Sequence, residues 1–200
     1  MSSKVEMCNL ALASMGADSI RDFSEGNKRS RMCDVFFDIT RDYLLSLFDW
    51  PFARKYVKLN AIADPAGAPD GWSAYMLPAD CMTPRNIAPL GTNTKWRQQG
   101  GWILTQASSD VYLYYTAKIS NETLYSSPFS NLLILGLASR IAPAISKDKA
   151  ISNTLKEEYK IAQAEMWESE ANIGSEWVDH DGDPENDSFV TGDSFTEIPK

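Results

Sequence analysis

One histidine, three cysteines and no closely spaced cysteine pair leave this chain poor in metal-binding and nucleophilic chemistry. Structural zinc needs paired cysteine or histidine ligands a few residues apart. Cys8, Cys33 and Cys81 are scattered and odd in number, so they read as reduced thiols serving as small core hydrophobes. A Ser-His-Asp arrangement has only His180 to draw on, and it sits between Asp179 and Asp181 in a charged run. That run opens like a calcium loop. Counted from Asp179, however, it carries Pro184 at the sixth position and Val190 at the twelfth, where an EF-hand needs Gly and Glu. The glycines show no phosphate-loop spacing. No uninterrupted apolar run approaches the roughly 18 residues that read as a membrane span. The start, Met1-Ser2-Ser3-Lys4, passes directly into an amphipathic pattern containing Glu6 and Asn9, unlike a signal peptide, so synthesis in the cytoplasm is expected. These absences predict no catalytic centre, no metal and no cofactor.

What is present is an ordinary globular composition, 44% hydrophobic and 23% charged, over 200 residues. The net charge of −8 is unevenly placed. Residues 165–200 hold eleven of the 27 acidic side chains and one of the 19 basic ones, leaving 16 acidic and 18 basic in residues 1–164. The body is near neutral and the C-terminal end is acidic. Such a chain gains little from neutralising phosphates, which argues against DNA binding as its task. The neighbouring Glu157 and Glu158 read as a solvated helix face.

Periodicity predicts a helix over 4–15, with Val5, Cys8, Ala11, Leu12 and Met15 on one stripe and Gly16 as its stop. A second helix is predicted from about 27 to 48, its stripe formed by Cys33, Phe36, Phe37, Thr40, Leu44 and Leu47. Trp50-Pro51-Phe52 ends it, because proline disfavours α geometry in the preceding residue. Short strand-like runs follow at 54–59, 72–77, 85–87, 95–98, 102–105 and 111–115. Residues 64–71 read as loop, and Gly100-Gly101 as a hairpin turn. Ser127-Pro128 then opens a helix apolar nearly all round, and a last amphipathic helix spans about 147–172.

The expected fold class is α+β. Residues 1–52 and 127–173 form the two halves of a discontinuous four-helix bundle, because the first helix pair is too small to bury its stripes alone. Residues 53–126 form an inserted small antiparallel β domain. Residues 174–200 form an acidic, extended C-terminal arm. Trp72, Trp96 and Trp102 fall in the insert, as sheet core or as exposed anchors for another protein. Trp177, Phe189 and Phe195 punctuate the arm, which cannot bury three aromatics alone; they are candidate partner-binding anchors.

Several fragments, in order, resemble the head-to-tail adaptors of short-tailed bacteriophages, the tail tubular protein A family. They are Leu10–Gly16, the helix exit Leu47–Phe52, and Tyr75-Met76-Leu77-Pro78-Ala79-Asp80-Cys81. The glycine hairpin at 99–104, the tyrosine-rich strand 111–116, and the helix carrying Leu137-Ala138-Ser139-Arg140-Ile141-Ala142 complete the order. The arm after Trp177 departs from the family pattern. The resemblance implies a virion structural protein at the head–tail junction and no enzyme. It implies a homo-oligomeric ring, usually of twelve subunits, between the portal protein and a tail nozzle similar to tail tubular protein B. Genomic DNA would pass through its channel without specific binding, and no membrane is involved. Trp72 and Trp96 would then be possible tail-side contacts. The alternatives are a head-completion or neck protein of a long-tailed phage, against which the β insert argues, and, more remotely, a small hydrolase.

Overall fold

A computed structural model describes residues 3–62, 68–88, 95–107, 110–146 and 148–172. It is an α+β protein of four helices and two small antiparallel sheets. The helices are α1 (Lys4–Ala13), α2 (Lys28–Leu47), α3 (Ser127–Ile145) and α4 (Lys149–Asn172). Between α2 and α3 run seven strands: β1 (Arg54–Lys58), β2 (Ala61–Ile62), β3 (Ser73–Met76), β4 (Cys81–Ala88), β5 (Trp96–Gln99), β6 (Trp102–Thr105) and β7 (Tyr112–Ala117). The described residues fall into two compact units. One comprises the chain through Arg54 together with Thr116–Asn172; the other is Lys55–Tyr115. Residues 116–126, grouped with the β insert on sequence, therefore belong with the helices. Their side chains Ile119 and Tyr125 pack on the helical core.

Local chemistry starts the helices. Ser3 and Glu6 form a reciprocal capping box on α1, each side chain accepting from the other's backbone N–H at 3.2 and 3.3 Å. Asn27 caps α2 by accepting from Ser30 N at 2.8 Å, and Ser126 caps α3 ahead of Pro128. Helix α3 is the centre of this unit, packing on α1, α2 and α4. It has the length and mean hydropathy, 1.3, of a membrane-crossing helix, although serines, Asn131 and Arg140 interrupt its apolar runs. Half of that stretch is buried against protein. Gly136 explains how closely its neighbours approach. A Cβ there would lie 3.0 Å from the Tyr159 ring on α4 and 3.1 Å from the Thr40 methyl on α2.

The exit of α2 is closed by aromatics. Trp50 packs edge-on against Phe48 and Phe129, at 5.3 and 4.9 Å between centroids, and its indole N–H donates to the Leu44 carbonyl at 2.9 Å. Cys8 of α1 and Cys33 of α2 are wholly buried free thiols in contact with each other, whereas Cys81 is only half-buried.

The strands form two sheets, β1-β7-β4 and β2-β3-β6-β5, where the sequence suggested one small domain without resolving its layers. Strand β4 begins four residues earlier than the run at 85–87, and it contains Pro84. Proline cannot donate to a ladder, but β4 is an edge strand and tolerates it. Strand β2, two residues long, carries no periodicity that a sequence can reveal. Gly100, at φ +58°, supplies the left-handed position of the β5–β6 hairpin.

Candidate interaction site

In the Lys55–Tyr115 unit the Asp80 carboxylate is a junction. It accepts from Lys55 Nζ of β1 at 2.6 Å and from the Tyr115 hydroxyl of β7 at 2.9 Å, one residue before β4 begins. All three strands of one sheet are thereby tied at one carboxylate. The Lys55 ammonium first, and then the Tyr115 hydroxyl, hold the Asp80 carboxyl below the usual carboxylate range. Burial, and then the bond to Asp80, push the Tyr115 phenol up. Burial, helped by the nearby Asp80 charge, raises the Cys81 thiol to about 11, so it stays protonated and unreactive at neutral pH. The Leu-Pro-x-Asp-Cys stretch singled out on sequence thus does structural work.

This junction has a pH signature. Because the folded-state pKa of Asp80 is lowered, its contribution is present above the unfolded carboxylate value and is lost as pH falls through the folded value. Asp80→Ala should therefore destabilise the sheet by about 1 kcal/mol at neutral pH, chiefly by stranding the Tyr115 hydroxyl, since the half-exposed Lys55 pair adds little. Urea titrations at pH 7 and pH 3 test this. The gap between wild type and variant should shrink at the lower pH, and an equal gap at both would mean that the ionised form of Asp80 adds nothing beyond accepting the Tyr115 hydroxyl.

Beside this junction, Tyr56 of β1 stacks on Tyr112 of β7 at 5.0 Å and leans on Tyr114 at 4.3 Å. In the second sheet the register fixes where the tryptophans lie. Ala74, Leu104 and Arg97 are directly opposed, as are Met76, Trp102 and Gln99, so these residues share one face. Trp72 joins that face, with the Arg97 guanidinium 5.4 Å above its ring. Trp96 opposes Thr105 and lies on the other face, with Ile103 and Tyr75. All three tryptophans are half-buried; Met76, next to Trp102, is the apolar side chain this sheet leaves most open, at 60% exposed. The structure therefore brings Trp72 and Trp102 to one surface and separates Trp96 from them. Trp177, Phe189 and Phe195 lie outside the described residues.

In the helical unit an open cleft of about 450 Å³ lies between the end of α1 and the start of α4. Its lining includes Ser14, Thr154 and Glu158, with Ile151 and Leu155 as apolar walls. The Ser14 hydroxyl already donates to the Ala11 carbonyl at 2.8 Å. Among the described residues, no three His, Cys, Asp or Glu side chains gather as metal ligands would.

Sequence reasoning missed one surface. Val35, Ile39 and Tyr43 follow at successive turns of α2 and are 53, 51 and 41% exposed. Their i, i+4, i+8 spacing was readable, but the buried stripe on the opposite side drew the reading. The sequence matches no known family model and no curated protein.

Proposed function

We propose that the chain is a structural subunit of a phage virion, a head-to-tail adaptor that joins copies of itself into a ring between portal and tail nozzle. In this reading α1–α4 act as a four-helix bundle, interrupted in sequence by the β strands and completed when α3 returns. The observation that carries it is the discontinuous helical unit with a β insertion, in which the family-like fragments fall at element ends, at a turn or within a core element. Leu10–Gly16 ends α1 and Leu47–Phe52 seals the exit of α2. Asp80 ties one sheet, Gly100 turns the hairpin, the tyrosine-rich strand is β7, and the Leu137 segment is the middle of α3. A near-neutral body with an acidic excess suits a channel that must let DNA move, since retained phosphates need basic partners. The aromatic anchors of the acidic arm, Trp177, Phe189 and Phe195, fit docking onto the portal.

The test is assembly. Electron microscopy of the chain mixed with the portal protein of its own phage should show rings, and the chain alone at micromolar concentration should not form stable ones. Removing residues 175–200 should leave the helical unit folded and abolish docking. In the same samples, random-sequence duplex at low salt, where electrostatic binding is strongest, should migrate unshifted. Full docking by the truncated chain would end the arm's part in this reading, and micromolar retention of duplex would end the passive channel.

A further inference from the structure

Of the charges on α2, the three aspartates are already engaged. Asp34 pairs with Lys4 at 3.2 Å. Asp38 pairs with Lys4 at 3.6 Å and Arg41 at 2.9 Å. Asp42 pairs with Arg41 at 2.7 Å and Lys118 at 2.8 Å. Lys28 and Arg31, on the same outward side as Val35 and Ile39, have no side-chain partner among the described residues. The outer face of α2 is thus an apolar stripe with uncompensated positive charge at its N-terminal end. Its apolar side chains are consecutive along the helix, a contiguous patch rather than scattered exposure.

Helix α4 presents the complement. Exposed Ile161 sits at the middle of its outward face. At helical spacing around it stand Glu157, Glu158, Glu165 and Glu168, all exposed, with no cation of α4 among the described residues on that side. Among the described residues only Glu157 is engaged, by Lys160 at 2.8 Å, and Lys160 projects to the flank. One helix of this chain therefore carries apolar residues beside two cations without a partner among the described residues, and another carries an apolar residue among four carboxylates, of which Glu157 alone is paired there.

We infer that the Val35–Ile39–Tyr43 face of α2 docks on the Ile161 face of α4 in a second copy of this chain. Because the two faces differ, the contact is head-to-tail, the kind that repeats from copy to copy and closes into a ring when its rotation allows. The inference rests on the ring reading above and assigns that ring its subunit interface. Burial of the stripe supplies the attraction, while Lys28 and Arg31 opposite the glutamates set the orientation. The contact should therefore weaken as salt rises.

Sedimentation velocity of the full-length chain, from micromolar to millimolar concentration at low salt, tests it. The wild type should associate weakly and reversibly at the upper end. Ile39→Asp should weaken association about tenfold or more, as should Arg31→Glu and Glu165→Lys singly. Arg31→Glu with Glu165→Lys in one chain should recover part of the loss, because each copy then offers a reversed but matched pair of faces. All four variants should melt as the wild type does, since these side chains are exposed. Ile39→Asp associating as the wild type does would overturn the assignment of the face. A loss with Arg31→Glu but none with Glu165→Lys would overturn the head-to-tail pairing and point to α2 meeting α2 or a different protein. A wild-type chain monomeric throughout would overturn the interface itself, while the ring reading answers separately to the portal experiment.

Discussion

Leu137→Asp should unfold the helical unit or bring it to the edge of unfolding, with a loss of at least about 4 kcal/mol. Leu137 has no exposed surface and stands in the middle of α3, the helix on which α1, α2 and α4 all pack. An aspartate there would carry its charge into the hydrophobic core, where Leu137 clusters with Leu133, Ile141 and Phe37. It would be held protonated at a cost, or would open the core to water. Whole-domain stability is about 5–15 kcal/mol, so one such residue removes a large share. Leu137→Ala should cost about 2–5 kcal/mol by leaving a cavity, and Leu137→Met less than about 1.5. Urea denaturation followed by far-ultraviolet dichroism ranks the three. Wild-type stability in the aspartate variant would mean that α3 is not central to the core.

Trp50→Ala should be the second large effect, about 3–5 kcal/mol. The residue lies in the turn after α2, where sequence marks only a helix exit, yet its ring is almost wholly buried between Phe48, Phe52 and Phe129. Trp50→Phe separates its two contributions. It keeps most of the aromatic packing but removes the indole donor from the Leu44 carbonyl, which is buried and 2.9 Å away. Leaving that acceptor unpaired should cost about 1–3 kcal/mol. Intrinsic fluorescence is crowded by six tryptophans, so amide exchange in the last turn of α2 is the cleaner readout. If Trp50→Phe leaves exchange there unchanged, the indole bond does not hold the turn.

Much of the helical part was legible because its signals are short-range. The apolar period in α1 and α2 and the proline opening of α3 act within a few residues, and the observed helices lie within about two residues of the expected bounds. The strands were harder. Two-residue β2 has no pattern, and Pro84 hid the first half of β4 until its place at a sheet edge made proline acceptable. Nor does sequence say which tryptophans share a face. Strand register decides that, and one residue of register moves a side chain to the opposite surface.

The amino-acid sequence by itself determined the α+β class, the positions of the helices, and a chemistry poor in close-set ligands. Each of these follows from composition or from interactions spanning about one helical turn. Tertiary structure alone decided the rest. It left Val35, Ile39 and Tyr43 of α2 open, a second stripe at helical spacing opposite the buried one that periodicity predicts. It brought Lys55, Asp80 and Tyr115, 25 and 35 residues apart in sequence, to one carboxylate. It required Gly136 where Tyr159 and Thr40 converge. Side chains this far apart along the chain meet only once the helices and sheets have packed, and whether a second apolar stripe stays open depends on neighbours that no local pattern specifies.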